Sequence, residues 1–324
     1  MRVPITLSLH IPNYNFPGVG SDQVFERIIE IATTAEASGF SSISVMDHLH
    51  QIGPVGPPEN WMFEGSTMLA AIAARTSRLT MGLLVGSVTY RNPALAAKIT
   101  TTLDIISGGR VWHGIGAGWF EAEHVAYGYH FPTLRTRFEM LEDALQIARA
   151  MFTQERAQQS GRHYHASGAF NNPKPLRGDI PILIGGSGER KTLRLVAKYG
   201  DGCNLFGDAQ QVRHLLGVLE AHCEAVGRDY SQITKTGTGR VLIAPTHEQA
   251  EAKKRALRER GVPQESIDSM IAGDPDTVAE QASELKQAGL EGLCFSMVGS
   301  EDPETVALAG QTLSKVFPMT TEAA

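Results

Sequence analysis

Short apolar segments alternate along the chain with longer segments in which apolar residues recur every three or four positions. The short segments have the length and the Val, Ile and Leu content of strands buried on both faces. Eight such segments occur, at residues 3–9, 42–46, 79–85, 110–115, 180–184, 202–206, 240–244 and 292–297. Eight buried strands that alternate with helices predict a closed parallel α/β barrel of the (β/α)8, or TIM-barrel, class.

Helical spacing is clearest in residues 24–38 and 134–152, each of which places its apolar side chains on one stripe. The first of these segments is followed by Gly39, directly before a predicted strand. Gly289 stands in the same relation to the last predicted strand. A glycine at this position is typical of a left-handed helix cap followed by a short connection, which supports the alternation of helices and strands.

Two connections, residues 151–180 and 245–273, are longer than ordinary barrel loops. The first is rich in glycine and proline, and we expect it to run as an excursion over the mouth of the barrel. In the second, residues 248–260 are charged and predict a helix. No repeat, low-complexity tract or Gly/Ser linker divides the chain, so the sequence predicts one barrel domain over residues 1–324 with two insertions.

Composition narrows the class of protein. Hydrophobic residues make up 42% of the 324 residues and charged residues 20%, which is typical of a globular protein with a full core. No apolar run approaches the roughly 20 residues that span a membrane, and the N-terminus lacks a signal-peptide pattern, so a cytoplasmic protein without a membrane partner is expected. The net charge of −6, without a basic run, argues against a nucleic-acid partner. The three cysteines are isolated in sequence and predict reduced, mostly buried thiols.

The second predicted strand runs into a polar pair, Asp47 and His48. In a parallel barrel the C-terminal ends of the strands surround the active site. Because histidine exchanges protons near neutral pH, His48 is the leading candidate for a proton donor or acceptor.

Histidines two positions apart, at His48 and His50 and again at His163 and His165, raise the alternative of a metal-dependent hydrolase. Such a site would need further ligands from other strand ends. The first strand offers only His10, and the later strand ends carry mainly Gly, Ser, Asn and apolar residues. We therefore expect no metal and keep the hydrolase as a minor alternative.

Two glycine runs follow predicted strands. Residues 114–118 read GIGAG, a weak match to a dinucleotide fingerprint, but glycine lets a backbone approach a flat ring closely. Residues 185–188 read GGSG and precede a predicted helix, an arrangement whose N–H groups and dipole favour phosphate. Arg190 and Lys191 add positive charge nearby. An ordinary tight turn and a solvated helix face would have the same sequence.

Taken together, residues 79–93 (LTMGLLVGSVTYRNP), the Asp47-His48 pair and the GIGAG run resemble the luciferase-like flavin and deazaflavin oxidoreductases. The resemblance covers nearly the whole chain and is nearest to the branch that uses coenzyme F420. It implies a luciferase-like barrel, a redox enzyme that uses F420 on a small organic substrate, and a homodimer. The alternatives are an FMN-dependent monooxygenase or reductase and a deazaflavin-binding protein without turnover.

The resemblance also implies roles for individual residues. His48 would handle the substrate proton, and Asp47 would contact or orient the cofactor. A cis peptide between Leu84 and Val85 would support the cofactor ring, with the Ser87 hydroxyl near it. The remaining cofactor contacts would come from the two glycine runs, through Gly116, Ala117, Gly118, Gly185, Gly186, Ser187 and Gly188.

Trp119 departs from the related sugar-phosphate dehydrogenases, which resemble this region but carry a glutamate acid at this position. An indole cannot act as that acid, so a more apolar or aromatic substrate is expected. Trp61, Trp119 and the excursion at residues 151–180 are the candidates for a substrate cover.

Overall fold

A computed structural model describes residues 1–319, and residues 320–324 of the predicted domain lie outside this range. The strands are β1 (Leu7–Ile11), β2 (Ser42–Val45), β3 (Thr80–Leu83), β4 (Gly86–Ser87), β5 (His113–Gly116), β6 (Arg156–Ser160), β7 (His165–Phe170), β8 (Ile182–Gly185), β9 (Gly202–Leu205), β10 (Thr234–Ile243), β11 (Ile271–Gly273) and β12 (Gly292–Met297). The helices are α1 (Val24–Ala37), α2 (Gly65–Ala73), α3 (Pro93–Ser107), α4 (Glu121–Tyr127), α5 (Leu134–Thr153), α6 (Thr192–Tyr199), α7 (Ala209–Val226), α8 (His247–Glu259), α9 (Gln264–Asp268), α10 (Pro275–Gln287) and α11 (Pro303–Val316), with a 3₁₀ turn at Tyr230–Gln232.

The main sheet is parallel and curls into a barrel in the order β3-β2-β1-β12-β10-β9-β8-β5-β4. β3 and β4 are consecutive pieces of one strand, because both adjoin β5: Met81 of β3 pairs with Val111 just before β5, and β4 pairs with β5 itself. The two ends of the sheet therefore meet. Counting β3 and β4 together gives eight strand positions, and all eight predicted strands are confirmed as parts of a (β/α)8 barrel.

Strand register defines which side chains face the inside of the barrel. Ser8 and Thr238 both pair with Cys294, and paired residues in parallel strands face the same side. Cys294 belongs to a cluster that fills the barrel, together with Val3, Ile5, Trp112 and Leu183. The alternate residues face the helices and form the large outer core. Burial on both faces explains why the strands read as nearly continuous apolar runs.

Glycine and capping residues place the helices as expected. Gly39 and Gly289 adopt φ of +97° and +112° directly before strands, which confirms the predicted turns. Asn92 caps α3 by accepting a hydrogen bond from the N–H of Ala94, and Pro93 is its first residue. No helix of the described chain is both long enough and apolar enough to cross a lipid bilayer.

The prediction that residues 151–180 run over the barrel mouth is wrong. The segment forms the antiparallel hairpin β6–β7 and packs along α5 in the outer helical layer, not over the barrel mouth. Asn171 Nδ2 bonds to the Thr101 hydroxyl of α3 at 2.8 Å, and the backbone N–H of His163 donates to Asp143 of α5 at 2.7 Å. Ala157 and Ala166 give the hairpin one buried face, and that face is what holds it against the helices.

The second insertion contains the predicted charged helix, α8, and two elements that were not predicted. α9 and the short strand β11 follow it, and β11 pairs with the outer half of β10. These elements have a small core of their own that includes Leu257, Ile267 and Met270. β10 itself begins at Thr234, six residues before the predicted start, because its first half is polar and glycine-rich yet buried between β9 and β12.

Candidate active site

A cavity of about 590 Å³ opens at the C-terminal ends of the barrel strands, a size typical of small-molecule sites. It collects almost every residue that the sequence singled out. The lining includes Asp47, His48, Leu84, Val85, Ser87, Gly116, Ala117, Gly118, Trp119, Gly185, Gly186, Ser187 and Gly188. A separate interior space of about 40 Å³, between the barrel wall and α2 and α3, has room only for a few water molecules.

The peptide between Leu84 and Val85 is cis, as predicted. The Val85 side chain lies against two glycines on neighbouring strands. A Cβ atom on Gly185 would stand 2.7 Å from Val85 Cγ2, and one on Gly116 would stand 3.0 Å from the same atom. Glycine at these two positions therefore makes room for Val85. The need for glycine is explained by this packing contact, without reference to a ligand.

Asp47 is buried and joins the end of β2 to the segment after the cis bond. Its two carboxylate oxygens accept hydrogen bonds from both terminal nitrogens of Arg91, each at 2.8 Å, and Oδ2 also accepts from the N–H of Ser87 at 3.0 Å. Burial disfavours the charge on Arg91, but the Asp47 and Glu64 carboxylates outweigh it and raise its pKa. Asp47 thus orients the β4 backbone and borders the cavity.

Glu123 is a site residue that sequence analysis missed. Its side chain is fully buried on α4, and its carboxylate accepts four hydrogen bonds. The donors are Nδ1 of His48 at 2.8 Å, the N–H of His50 at 3.1 Å, the N–H of Leu49 and the hydroxyl of Tyr90. Burial would raise the pKa of Glu123, but these bonds outweigh it and lower the pKa to about 2. The carboxylate is therefore ionised.

The Glu123 carboxylate determines which ring nitrogen of His48 carries a proton. An ionised carboxylate can only accept hydrogen bonds, so Nδ1 of His48 must carry a proton. Nε2 is then the ring nitrogen left for a ligand, and it accepts a proton when the ring is neutral and donates one when the ring is charged.

A second hydrogen-bond chain runs behind Ser87. His124 Nδ1 lies 2.8 Å from the carbonyl of Phe120 and so donates to it, and in the neutral ring Nε2 is then an acceptor. Thr89 must then donate to His124 Nε2 at 2.6 Å, and Ser87 must donate to Thr89 at 2.7 Å. The Ser87 hydroxyl proton is used in this chain, so its oxygen offers the cavity an acceptor.

His10 is a further lining residue, at the mouth end of β1. Its Nδ1 lies 3.0 Å from the Ser44 hydroxyl. Burial lowers the pKa of His10 to about 4, so the imidazole is neutral at neutral pH. The cavity therefore contains two histidines that differ in environment, one bonded to a carboxylate and one to a hydroxyl.

Aromatic rings form the outer wall beside His48. The ring of Trp119 lies 5.6 Å from the His48 ring and 5.1 Å from that of Phe120, and its side chain is 57% exposed at the mouth. Trp61, by contrast, does not line the cavity, because the loop after β2 carries it outward while Met62 and Phe63 pack on the core. Residues 151–180 contribute nothing to the described lining. Of the three predicted cover elements, only Trp119 reaches the site.

The glycine turn after β8 presents unused donors. Gly186 has φ of +117°, and the N–H groups of Ser187 and Gly188 donate to no acceptor within residues 1–319. The Thr192 hydroxyl lies beside Gly188 and is likewise without a described partner. α6 begins only at Thr192, after a further turn, so an anion at the predicted position would meet the glycine turn and Thr192 before the helix.

A groove beyond this turn is basic. It is lined by residues of α5 and of the start of α6, and Phe138 borders both the groove and the cavity. Arg190, Lys191 and Arg194 are exposed there, and no described carboxylate lies within ion-pair distance of them. Lys198 is already paired, with Glu142 at 2.9 Å. Glu139 and Glu142 also line the groove but are paired with other cations, so Arg190, Lys191 and Arg194 leave it with a net positive charge.

Metal ligation was the basis of the alternative hydrolase prediction. Within the described range, no three His, Cys, Asp or Glu side chains gather as a metal site would require.

The chain is similar to known proteins in both sequence and fold. A sequence model of the luciferase-like monooxygenases matches residues 5–307. The F420-dependent glucose-6-phosphate dehydrogenase of Segniliparus rotundus is 27% identical over 85% of this chain and 89% of that protein.

Two solved structures have the same fold. The coenzyme F420-dependent tetrahydromethanopterin reductase of Methanopyrus kandleri superposes with a TM-score of 0.77 at 18% identity, over 97% of this chain and 99% of that one. The oxygenating constituent of 3,6-diketocamphane monooxygenase of Pseudomonas putida, in complex with FMN, superposes with a TM-score of 0.75 at 19% identity, over 96% and 98%.

Proposed function

The chain belongs to the luciferase-like monooxygenase family, and within it we propose an F420-dependent oxidoreductase that acts on a small organic molecule. Relatives that match over 85% of the chain include F420-dependent glucose-6-phosphate dehydrogenases. The barrel fold and the cavity at the strand ends agree with membership of this family.

The observation that carries the choice of cofactor is the basic groove beyond the glycine turn. FMN ends in one phosphate, whereas F420 continues through a phosphodiester into an acidic glutamyl tail. The Ser187 and Gly188 N–H groups and the Thr192 hydroxyl suit a phosphate, and Arg190, Lys191 and Arg194 suit the negative charges that follow it. An FMN phosphate would leave these three cations without a partner.

The residues present fit the ring of such a cofactor. Leu84, Val85 and the glycines of β5 and β8 all line the cavity, and Ser87 offers an acceptor beside them. F420, when bound, supplies a two-electron carrier that exchanges hydride with the substrate.

His48 moves the proton in this proposal. Its Nε2 takes the hydroxyl proton of an alcohol substrate during oxidation, or returns a proton to the oxygen of a carbonyl substrate during reduction. Glu123 holds the ring in the required tautomer and stabilises the imidazolium that forms. Asp47, through Arg91 and the Ser87 N–H, holds the strand segment that supports the ring.

The substrate is proposed to be more apolar than a sugar phosphate. By the family resemblance given above, Trp119 takes the position of a glutamate acid in the related sugar-phosphate dehydrogenases. Among the described residues that line the cavity, none is a lysine or an arginine, so a phosphate beside His48 would have no cationic partner there; Arg240 of β10 lies beyond this lining. Ile52, Leu84 and Trp119 instead offer an apolar surface.

We propose further that the protein is a cytoplasmic homodimer without a nucleic-acid partner. Leu95 and Ile106 of α3 and the nearby Leu176 are about half exposed, which supports an interface between two copies. The three free, buried thiols support a reducing compartment.

Separate titrations of the purified protein with F420 and FMN test the assignment. We expect F420 to bind at least tenfold more tightly, which corresponds to about 1.4 kcal/mol. Equal affinities, or tight binding of FMN alone, would favour the FMN-dependent monooxygenase or reductase. Tight F420 binding without turnover on any alcohol or carbonyl compound would favour a carrier protein.

A further inference from the structure

Arg240 faces the inside of the barrel at its mouth. It pairs with Ser296 in the same parallel register that pairs Thr238 with Cys294, so its side chain points to the interior side on which Cys294 lies. Thr238 lines the cavity, and Arg240 follows about 6.6 Å further along the strand. The strand therefore carries a cation directly above the cavity wall.

This arginine is partly buried and has no counter-ion. Within residues 1–319 no carboxylate lies within ion-pair distance of Arg240, and its guanidinium makes no hydrogen bond to the protein. Burial lowers its pKa, although a guanidinium stays charged. Removing a cation from water without a partner costs free energy, so such a group is typical of a site that receives an anion.

Two neighbouring hydroxyls are also unused. Ser296, paired with Arg240, and Thr238, one layer below, make no described side-chain hydrogen bond to the protein. His10 comes next on the adjacent strand, since β1 pairs with β12 up to Leu9 and Phe295. One interior layer thus runs from Arg240 through Ser296 to His10, and His48 follows the end of the next strand, β2.

We propose that Arg240, Ser296 and Thr238 bind a carboxylate of the substrate, while His48 acts on a hydroxyl or oxo group of the same molecule. This proposal rests on the proposed function and gives its substrate class: a hydroxy acid or oxo acid with an apolar or aromatic body that packs on Trp119. One arginine balances one negative charge and matches a carboxylate with two parallel hydrogen bonds. A phosphate monoester carries nearly two charges and would be left partly uncompensated.

The test uses sodium benzoate as the probe, with inorganic phosphate as the competing anion, in calorimetric titrations of the F420-loaded protein. We expect benzoate to bind the wild type and to lose at least tenfold in affinity in Arg240→Met. Arg240→Lys, which keeps the charge but not the fork of donors, should fall between them. Arg255→Gln, on the exposed face of α8, is the matched control and should bind benzoate as the wild type does.

The affinity of every variant for F420 is measured as well, to distinguish failure of the anion-site proposal from failure of the proposed function. Unchanged benzoate binding in Arg240→Met overturns the proposal, and so does tighter binding of phosphate than of benzoate. Loss of F420 affinity in Arg240→Met also overturns it, because Arg240 would then serve the cofactor. If the wild type fails to bind F420, the proposed function is wrong. Titration of the unloaded wild type and Arg240→Met with benzoate then tests the anion site by itself.

Discussion

The carboxylate of Glu123 lies 2.8 Å from Nδ1 of His48 and also accepts the N–H of His50 two residues further on. One buried group on α4 thus holds both the ring and the backbone of the loop after β2. Glu123→Gln keeps the size but places an amide against donors. We expect the maximal turnover rate to fall about tenfold or more, with F420 affinity within a few-fold of the wild type.

Glu121→Gln is the control, because Glu121 lies on the same helix but is exposed. The pH profile of turnover should shift in Glu123→Gln and stay in place in Glu121→Gln, since Glu123 is hydrogen-bonded to the His48 ring and Glu121 is not. An unchanged profile in both variants would reduce Glu123 to a structural role.

Replacement of His48 tests the proton transfer directly. His48→Ala should lower turnover roughly a hundredfold, the usual contribution of general acid–base catalysis, and leave cofactor affinity within a few-fold. Steady-state kinetics and an F420 titration measure the two effects. Turnover at the wild-type rate would exclude the role, and loss of F420 binding would make His48 a ring contact.

The contact between Gly185 and Val85 predicts a loss of stability. In Gly185→Ala the new Cβ would stand 2.7 Å from Val85 Cγ2, so the cavity wall must shift. We expect the free energy of unfolding to drop by about 1–3 kcal/mol, the usual cost of overpacking. Gly217→Ala, in open space on α7, should instead gain about 0.5–1 kcal/mol. Denaturant unfolding compares the two, and equal effects would argue against the packing of Val85 as described.

The basic groove predicts how charge affects cofactor choice. A variant with Arg190, Lys191 and Arg194 all changed to glutamine should lose at least tenfold in F420 affinity and little in FMN affinity. Raising the salt concentration should weaken F420 binding to the wild type more than to the variant, because exposed charges are screened. An equal loss of affinity for F420 and FMN would mean that the three cations act on the phosphate that both cofactors share, and not on the F420 tail.

Two buried histidines predict a decline of stability in mild acid. Burial lowers the pKa of His10 to about 4, and burial with the nearby Arg149 charge does the same for His113. The unfolded chain therefore binds more protons than the folded one between pH 4 and 6.5, and stability falls as pH falls through that range.

Urea unfolding at several pH values measures this slope. His113→Asn should reduce the slope of the unfolding free energy against pH. The reduction is at most about 1.4 kcal/mol per pH unit, which corresponds to one proton. His130→Asn, at an exposed position, should leave the slope as it is.

The sequence predicted the barrel and much of the cavity because both depend on local patterns. A strand buried on both faces reads as an apolar run, and the rule that strand ends form the site places Asp47 and His48 at the cavity, whereas Val85 was placed there by the family resemblance. Glu123 could not be found this way, because a buried carboxylate on the short, charged helix α4 has the same local pattern as a solvated one. Only the folded chain brings its four donors together.

The errors share a cause. Residues 151–180 were assigned to the mouth because the connection is too long for an ordinary barrel loop, and Trp61 was named with them as a candidate cover, but where such a segment packs depends on partners distant in sequence. The first half of β10 was missed because its polar residues are buried by the two strands beside it. Arg240 was visible as a strand residue, yet its lack of a counter-ion is a property of its neighbours.

The cysteines of the barrel wall lie on opposite sides of it. Cys294 points into the barrel, whereas Cys203 alternates with the inward-facing Asn204 and so points toward the helices. Burial raises the pKa of each thiol to about 12, so neither reacts with a maleimide while the fold is closed. The order in which Cys203 and Cys294 react with a maleimide during unfolding, measured by peptide mass, would therefore show how the fold is lost. Earlier labelling of Cys203 would mean that the helices separate from the barrel first, and simultaneous labelling would mean that the whole domain unfolds in one step.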